Sequence, residues 1–399
     1  MVKKNRYDNV NRAKLIHVIT MLEFGGAQEN TLINCSRADR DLFDVTLVSG
    51  RGGVLDERTA SIEGIDHISL PTLVREIRPM DDLMAFLSIF FFIKKLKRES
   101  GGSPVIVHTH SSKAGILGRA AAYFARAEVI VHTVHGFGFT PLHGRLLKRF
   151  LIFLEKAVAR FTDRFVIVAK ENGKEGVRVG IFEKERCVLI RSGFDTMRFR
   201  EASRDAGRER LGLEKREFAV GMVACFKPQK SPLDFIRAAR VLKEKGLDCK
   251  YILVGDGELR PMVMKEIVDS GMGNDFIMTG WLEGVEEIIA ALDVLVLTSL
   301  HEGLPKVIPQ GLLLGVPVVA TAVDGTKEIV RDGLDGYLVG VNSPGEVAAR
   351  IADIAEGKLD PTKVLERRDE IAREFSENEM VAKHGELYCA LLKEKGCRE

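Results

Sequence analysis

The alternation of short, apolar, β-branched runs with helical stretches constrains this chain more than any other feature. Leu15–Thr20, Val45–Ser49, Val105–Thr109, Val129–Val134 and Arg164–Val168 form one series. Phe218–Ala224, Tyr251–Gly255, Phe276–Thr279, Val294–Thr298 and Val318–Thr321 form a second. Continuous apolar runs between helices belong to parallel sheets covered on both faces. Two successive series predict an α/β chain of two doubly wound domains, and 399 residues suit two cores better than one. The polar stretch Met197–Lys215 reads as the boundary, giving domains 1–200 and 201–375. A terminal helix, 376–399, opens with a capping box of Ser376 and Glu379. Ligands of open parallel sheets bind beyond the carboxyl ends of the strands, so the cleft between two facing sheets is the expected site.

Composition narrows the chemistry. The six cysteines (Cys35, Cys187, Cys225, Cys249, Cys389, Cys397) are dispersed, which argues against a zinc site or a disulfide framework and for a reducing compartment. Met1–Lys14 is polar and lacks the apolar core of a signal peptide. No run approaches the roughly 20 apolar residues of a membrane span. The net charge of +2 hides an asymmetry: residues 1–200 carry 32 Lys+Arg against 22 Asp+Glu, and residues 201–399 carry 27 against 35. The halves are expected to face different partners.

The motifs lie at strand ends. After Val294–Thr298 the chain reads Ser299-Leu-His-Glu-Gly-Leu-Pro-Lys-Val-Ile-Pro-Gln310, with a helix expected to start near Pro305. Amides at a helix start suit a phosphate. Glu302 before the helix and Gln310 within it, separated by ~12 Å of helical rise, suit opposite ends of a sugar nucleotide. The plain alternative is a capping acid and a solvated glutamine. Gly25-Gly26, after the first strand, lets backbone amides approach phosphates without an intervening Cβ. Lys227 and Lys230 follow Phe218–Ala224. Gly255-Asp256-Gly257 lacks the third glycine of a dinucleotide fingerprint and reads as a structural turn. Trp281 reads first as core, with stacking on a nucleobase as the alternative. In the first half, His108-Thr-His110-Ser-Ser-Lys113 and His132-Thr-Val-His135 end two strands. No third ligand with suitable spacing supports a metal there. His108 reads as packing, pointing away from His110. Asp81-Asp82 reads as a helix cap rather than a metal pair.

Together these segments resemble the retaining glycosyltransferases of family 4, in their bacterial capsular and exopolysaccharide branch, over nearly the whole chain. The family's Glu-x7-Glu signature, with Gly-x-Pro-Val-Val-Ala-Thr behind it, matches Glu302 to Thr321. Gln310 replaces the second Glu, and Cys225 stands where an arginine is usual. The resemblance implies a GT-B architecture, two Rossmann-like domains facing across a cleft. It implies Glu302 on the donor sugar, Gln310 on the ribose and Lys230 on the pyrophosphate. Gly25, Gly26, Lys227, Leu282, Gly303, Leu304 and Pro305 are then further donor contacts. His110 lies beside the donor sugar, and Lys113 and His135 fall on the acceptor side. The implied reaction moves a hexose, with retention, from a nucleotide-diphosphate sugar to a saccharide or polyprenyl-linked acceptor of a cell-surface polysaccharide. The leaving phosphate takes the acceptor proton, and neither metal nor cofactor is required. Cys225 and Gln310 keep a second reading open, a sugar-nucleotide-binding scaffold with impaired catalysis. A third is a sugar-nucleotide 2-epimerase on the same fold.

Leu83–Ile93 is apolar and ends in Lys94-Lys95-Leu-Lys97-Arg98, and Leu142–Arg164 sets basic residues among leucines and phenylalanines. Both stretches suit an anionic membrane surface, the alternative being buried helices with solvated ends. Aromatics are not interleaved with the charges, which argues against nucleic acid. The expected location is cytoplasmic, peripheral at the inner membrane face.

Overall fold

The computed structural model describes residues 12–60, 62–139 and 144–397. Most of Met1–Lys14, and Leu142 at the head of the basic stretch, lie outside the described residues. The chain divides into two compact units. Unit 1 comprises Met1–Val168, Asn172–Ile190 and Met380–Glu399; unit 2 comprises Ala169–Glu171 and Arg191–Glu379.

Unit 1 holds seven strands: β1 (Ala13–Ile19), β2 (Phe43–Gly50), β3 (Ile65–Leu70), β4 (Val105–His110), β5 (Val129–Val134), β6 (Arg164–Ile167) and β7 (Cys187–Leu189). They pair in the order β3-β2-β1-β4-β5-β6-β7, all parallel. Unit 2 holds β8 (Phe218–Val223), β9 (Cys249–Val254), β10 (Phe276–Gly280), β11 (Val294–Leu297), β12 (Val318–Thr321) and β13 (Gly336–Val339). Their order is β10-β9-β8-β11-β12-β13, again parallel throughout. Parallel neighbours need a crossover, and the helices between strands supply it while burying the apolar faces. In each sheet the order reverses once, between β1 and β4 and between β8 and β11. The chain leaves such a pair of strands in opposite directions and opens a crevice at their carboxyl ends.

One expectation about organisation needs correction. The change of unit falls at Ile190/Arg191 rather than after residue 200. The polar stretch expected as the boundary forms helices Thr196–Arg200 and Arg204–Leu211. A Cβ on Gly207 would lie 1.9 Å from the carbonyl oxygen of Glu287; this glycine lets the second of them sit directly on helix Val285–Ala290. Residues 376–399 hold a helix, Glu377–Glu394. Helix Glu377–Glu394 passes from unit 2 into unit 1, where Met380, Tyr388, Leu391 and Leu392 join Leu15, Val45 and Val131 in one core. Each such leucine contributes about 1.5–3 kcal/mol by burial.

Among the described residues no helix is long and apolar enough to cross a membrane. Helix Pro79–Glu99 buries Ala85, Ile89 and Ile93 while Leu83, Met84 and Phe91 stay exposed. Helix Arg145–Ala159 buries Glu155, Val158 and Ala159 and leaves Leu146, Phe150 and Phe153 exposed.

Candidate functional site

In unit 2 the reversal point is built from two loops. The segment after β8 makes a short 3-10 turn, Pro228–Lys230, before helix Pro232–Glu244. The segment after β11 runs to helix Val307–Leu314. Backbone and side chains join them: Leu300 N–H donates to the Gln229 carbonyl (2.7 Å), the Gln229 amide to the His301 carbonyl (2.9 Å) and Thr298 Oγ1 to the Ser231 carbonyl (2.9 Å). On this frame Lys230 Nζ pairs with Glu302 Oε1, and Ser299 Oγ donates to the same oxygen at 2.6 Å. Glu302 is 8% exposed. Burial of a carboxylate is tolerable only with such partners. Both bonds fall on Oε1, so the carboxylate is held by one edge.

Asp324, which the sequence reading missed, holds the same loop from behind. Its Oδ2 accepts the Glu302 backbone N–H at 2.7 Å, and it adopts φ 36°, a region where Asp is among the few tolerated side chains. At the next residue, a Cβ on Gly325 would lie 2.2 Å from the Gly303 carbonyl oxygen. The Asp-Gly pair behind Val318–Thr321 is a turn signal, the one hint the sequence offers.

Gly303 is half-buried, and Leu304, Pro305 and Lys306 are buried beside Glu302. The regular helix begins at Val307 instead of near Pro305, with a helical Lys306 as its N-cap residue. Only part of the interval from Glu302 to half-buried Gln310 is therefore helical, and the 12 Å separation expected from helical rise does not apply. Lys227 and Leu282 are half-buried on neighbouring loops. Gly255 (φ 124°) turns where a Cβ would meet the Ala224 carbonyl oxygen at 2.0 Å, as its structural reading requires. Trp281 departs from the core expectation: it is 44% exposed.

In unit 1 the reversal point lies between β1 and β4. Gly25 caps helix Gly26–Arg37 in extended backbone, and a Cβ there would press only on the flexible end of Gln28. Thr20 and Ser111 join the two strand ends, Oγ1 to Oγ at 2.7 Å. Ser111 itself holds φ 59°, ψ 160°, a conformation costing of order 1–3 kcal/mol outside glycine. Lys113 is engaged: its Nζ pairs with Asp82 and donates to the Glu76 carbonyl. Asp82 also accepts the Arg78 N–H at 3.2 Å, closing the start of helix Pro79–Glu99 as a cap does.

The histidines are where the sequence reading needs most correction. His108 and His110 are two residues apart on one strand and so share a face; their ring centroids are 4.3 Å apart. The β1–β4 register sets His17 opposite His108, adding a third imidazole that the run Leu15–Thr20 concealed. His17 Nδ1 lies 2.9 Å from His110 Nε2, and His110 Nδ1 lies 3.2 Å from His135 Nε2. His108 meets Tyr388 Oη through Nδ1 (2.5 Å) and Thr133 Oγ1 through Nε2 (2.7 Å). His384 packs 5.5 Å from His108, centroid to centroid. His132 faces the other side of the sheet, where its Nδ1 meets Thr109 Oγ1 at 2.9 Å. Burial, then the charges of His384 and Arg40, pushes His17 down to about 3. Burial alone takes His384 to about 4 against its bond to the Met380 carbonyl. His108 and His110 fall well below the usual value, by burial and then by mutual repulsion. His17, His108, His110 and His384 are therefore uncharged at neutral pH.

This geometry removes the argument that no third ligand exists. The candidate nitrogens of His17, His108 and His110 lie within 4.8 Å of one another. His108 and His110 nevertheless engage both ring nitrogens in the contacts above, which makes this a hydrogen-bonded array as it stands.

The family described as Glycosyltransferase Family 4 matches residues 24–198, and that described as Glycosyl transferases group 1 matches residues 217–356. A UDP-Gal:alpha-D-GlcNAc-diphosphoundecaprenol alpha-1,3-galactosyltransferase of Escherichia coli is 29% identical over 390 residues, 96% of this chain and 99% of its own length. The capsular polysaccharide biosynthesis glycosyltransferase CapM of Staphylococcus aureus is 22% identical over 359 residues, 88% of this chain and 91% of its own. In fold, the crystal structure of Anabaena HepE in complex with UDP and glucose matches with a TM-score of 0.80 at 19% identity, over 95% of this chain and 100% of that one. Two parallel sheets with interleaved helices, matched segment by segment to these families, identify the chain as a GT-B glycosyltransferase of the family 4 type.

Proposed function

We propose that this chain transfers a hexose, with retention of configuration, from a nucleotide-diphosphate sugar to a saccharide or polyprenyl-linked acceptor in cell-surface polysaccharide synthesis. The observation that carries the reading is Glu302, buried yet held through Oε1 alone by Lys230 and Ser299. Oε2 is then the edge assigned to the donor sugar's hydroxyls. Lys230 has three N–H donors, and those not aimed at Glu302 are assigned to the diphosphate, whose charge grows as the anomeric C–O bond breaks. Amides of Gly303, Leu304 and Lys306 are assigned to the phosphates, and Gln310 to the ribose. The acceptor hydroxyl attacks the anomeric carbon on the face the phosphate leaves, and its proton passes to a leaving phosphate oxygen. Lys230 and the loop amides supply the positive charge in this scheme, which requires no metal.

The diphosphoundecaprenol named for the E. coli relative supports a lipid-linked acceptor. The exposed Leu146, Phe150 and Phe153 on a helix that also carries Arg145, Lys148 and Arg149 support docking on an anionic membrane, at the cytoplasmic face. Thermal-shift screening against UDP-, GDP-, ADP- and dTDP-sugars identifies the donor. With that donor, Glu302→Ala is expected to lower transfer at least tenfold, about 1.4 kcal/mol of barrier. Unchanged transfer removes Glu302 from the reaction. For the membrane, Phe150→Ser with Phe153→Ser is expected to weaken co-sedimentation with phosphatidylglycerol vesicles severalfold; equal sedimentation rejects that helix as the contact.

A further inference from the structure

The end of β12 fixes Glu302 from a distance. Strands β11 and β12 pair through Leu297 and Ala320, which sets the two loops that follow them side by side. Across that seam Thr321 Oγ1 donates to the Ser299 carbonyl at 2.5 Å. Ser299 Oγ in turn donates to Glu302 Oε1 at 2.6 Å, and Asp324 Oδ2 accepts the Glu302 N–H at 2.7 Å. Glu302 is thus pinned at two points, its amide and one carboxylate oxygen. Hydrogen bonds at both ends restrict the side-chain torsions between them, so the protein itself sets the direction of Oε2.

Asp324 makes its contribution from a strained backbone. Its φ of 36° lies where glycine is free and other side chains are disfavoured. An aspartate in such a place commonly bonds the backbone of its own turn. Here Oδ2 instead reaches 22 residues back, to the loop that carries the acid. The short distance is that of an amide donating to a carboxylate. Glycine would suit the backbone better, so what the aspartate supplies is the acceptor. With the Glu302 N–H taken, the loop amides left for phosphate begin at Gly303.

From this we propose that Asp324 is a positioning residue of the transfer reaction. It holds the peptide from which Glu302 extends, so that Oε2 meets the hydroxyls of the donor sugar. The functional half rests on the glycosyl-transfer reading; the tether itself does not.

The test compares Asp324→Gly, Asp324→Ala and Asp324→Asn with wild type in the full chain, by steady-state transfer and by NMR hydrogen exchange of the Glu302 amide. Asp324→Gly decides, because it removes the acceptor while relieving the backbone. It is expected to lower kcat/KM for the donor about tenfold and to speed exchange at Glu302 by at least about the same factor. Affinity for the matching diphosphate among UDP, GDP, ADP and dTDP is expected to change less than about twofold. Asp324→Ala is expected to match or exceed those losses. Asp324→Asn keeps an acceptor oxygen and suits the same φ; it is expected to recover most of the loss. In a Glu302→Ala background, Asp324→Gly is expected to cost less than about twofold, since the group it positions is gone. A merely structural role predicts another order, with Asp324→Gly equal to wild type or better. Full transfer or unchanged Glu302 exchange in Asp324→Gly overturns the proposal. So does Asp324→Asn as impaired as Asp324→Gly, diphosphate affinity lost in step with transfer, or an equal loss with and without Glu302. Should wild type transfer no sugar, exchange still reads the tether, and only the proposed function fails.

Discussion

The two units solve one problem in opposite ways. Both present polar groups at the reversal point of a parallel sheet. In unit 1 those groups stand on the strands themselves, buried among apolar neighbours, and they are imidazoles held neutral. In unit 2 they stand on loops just past the strand ends, and they are a carboxylate and an ammonium held as a pair. A strand interior cannot accommodate charge without a large desolvation cost, whereas a loop with partly hydrated partners can. The fold thus separates neutral hydrogen-bonding chemistry from charge-handling chemistry by a few residues of strand length.

The largest effect should come from removing the cation of the loop pair. Lys230→Ala is expected to lower kcat about a hundredfold, roughly 2.7 kcal/mol, as for loss of one donor to developing negative charge. Full activity in that variant would erase the contrast between charged loop and neutral strand. Acid should next distinguish the units. The unfolded chain protonates these imidazoles below about 6.5, while folded His384 and His17 resist until about 4 and 3. Folding stability is thus full above about pH 6.5 and falls as pH drops through that window, by up to ~1.4 kcal/mol per pH unit for each such histidine. Urea titrations at pH 7, 6 and 5, read from unit 1 amides by hydrogen exchange, check this; a flat profile would break the comparison from the other side. Backbone supplies a finer contrast. Gly325→Ala must displace the Gly303 carbonyl and is expected to lower kcat/KM about tenfold. The smallest effect belongs to Gly25→Ala, which meets only the end of Gln28 and should change kcat/KM less than twofold. Equal losses for the two glycines would show that proximity of backbone, and not space for a Cβ, governs the first loop.

What the sequence revealed follows burial. Each of the ten apolar runs corresponds to a strand, whereas β3, β7 and β13 went unread. All three are edge strands, and β3 and β7 contain no buried residue; half-solvated strands lose the apolar pattern that betrays a central one. Trp281 was misjudged for a related reason, since composition does not tell a core aromatic from one left at a crevice. The loops of Glu302 and Lys230 were legible as strand ends, through Gly303 and Pro305 in one and Pro228 in the other. His17 was not, because its place opposite His108 depends on the β1–β4 register, a non-local fact. Asp324 likewise acts across 22 residues, and Tyr388 reaches His108 across 280.

That last span bears on how the molecule is made. Ribosomes release a chain from its amino end, and domains generally fold as they emerge. Unit 2 lies within one continuous stretch apart from Ala169–Glu171 and can close early. Unit 1, although mostly synthesised before unit 2, waits for Met380, Tyr388 and Leu392, which follow unit 2, to seal its centre. A chain cut before Met380 would therefore lose part of the core of unit 1, most of which precedes unit 2 in the sequence.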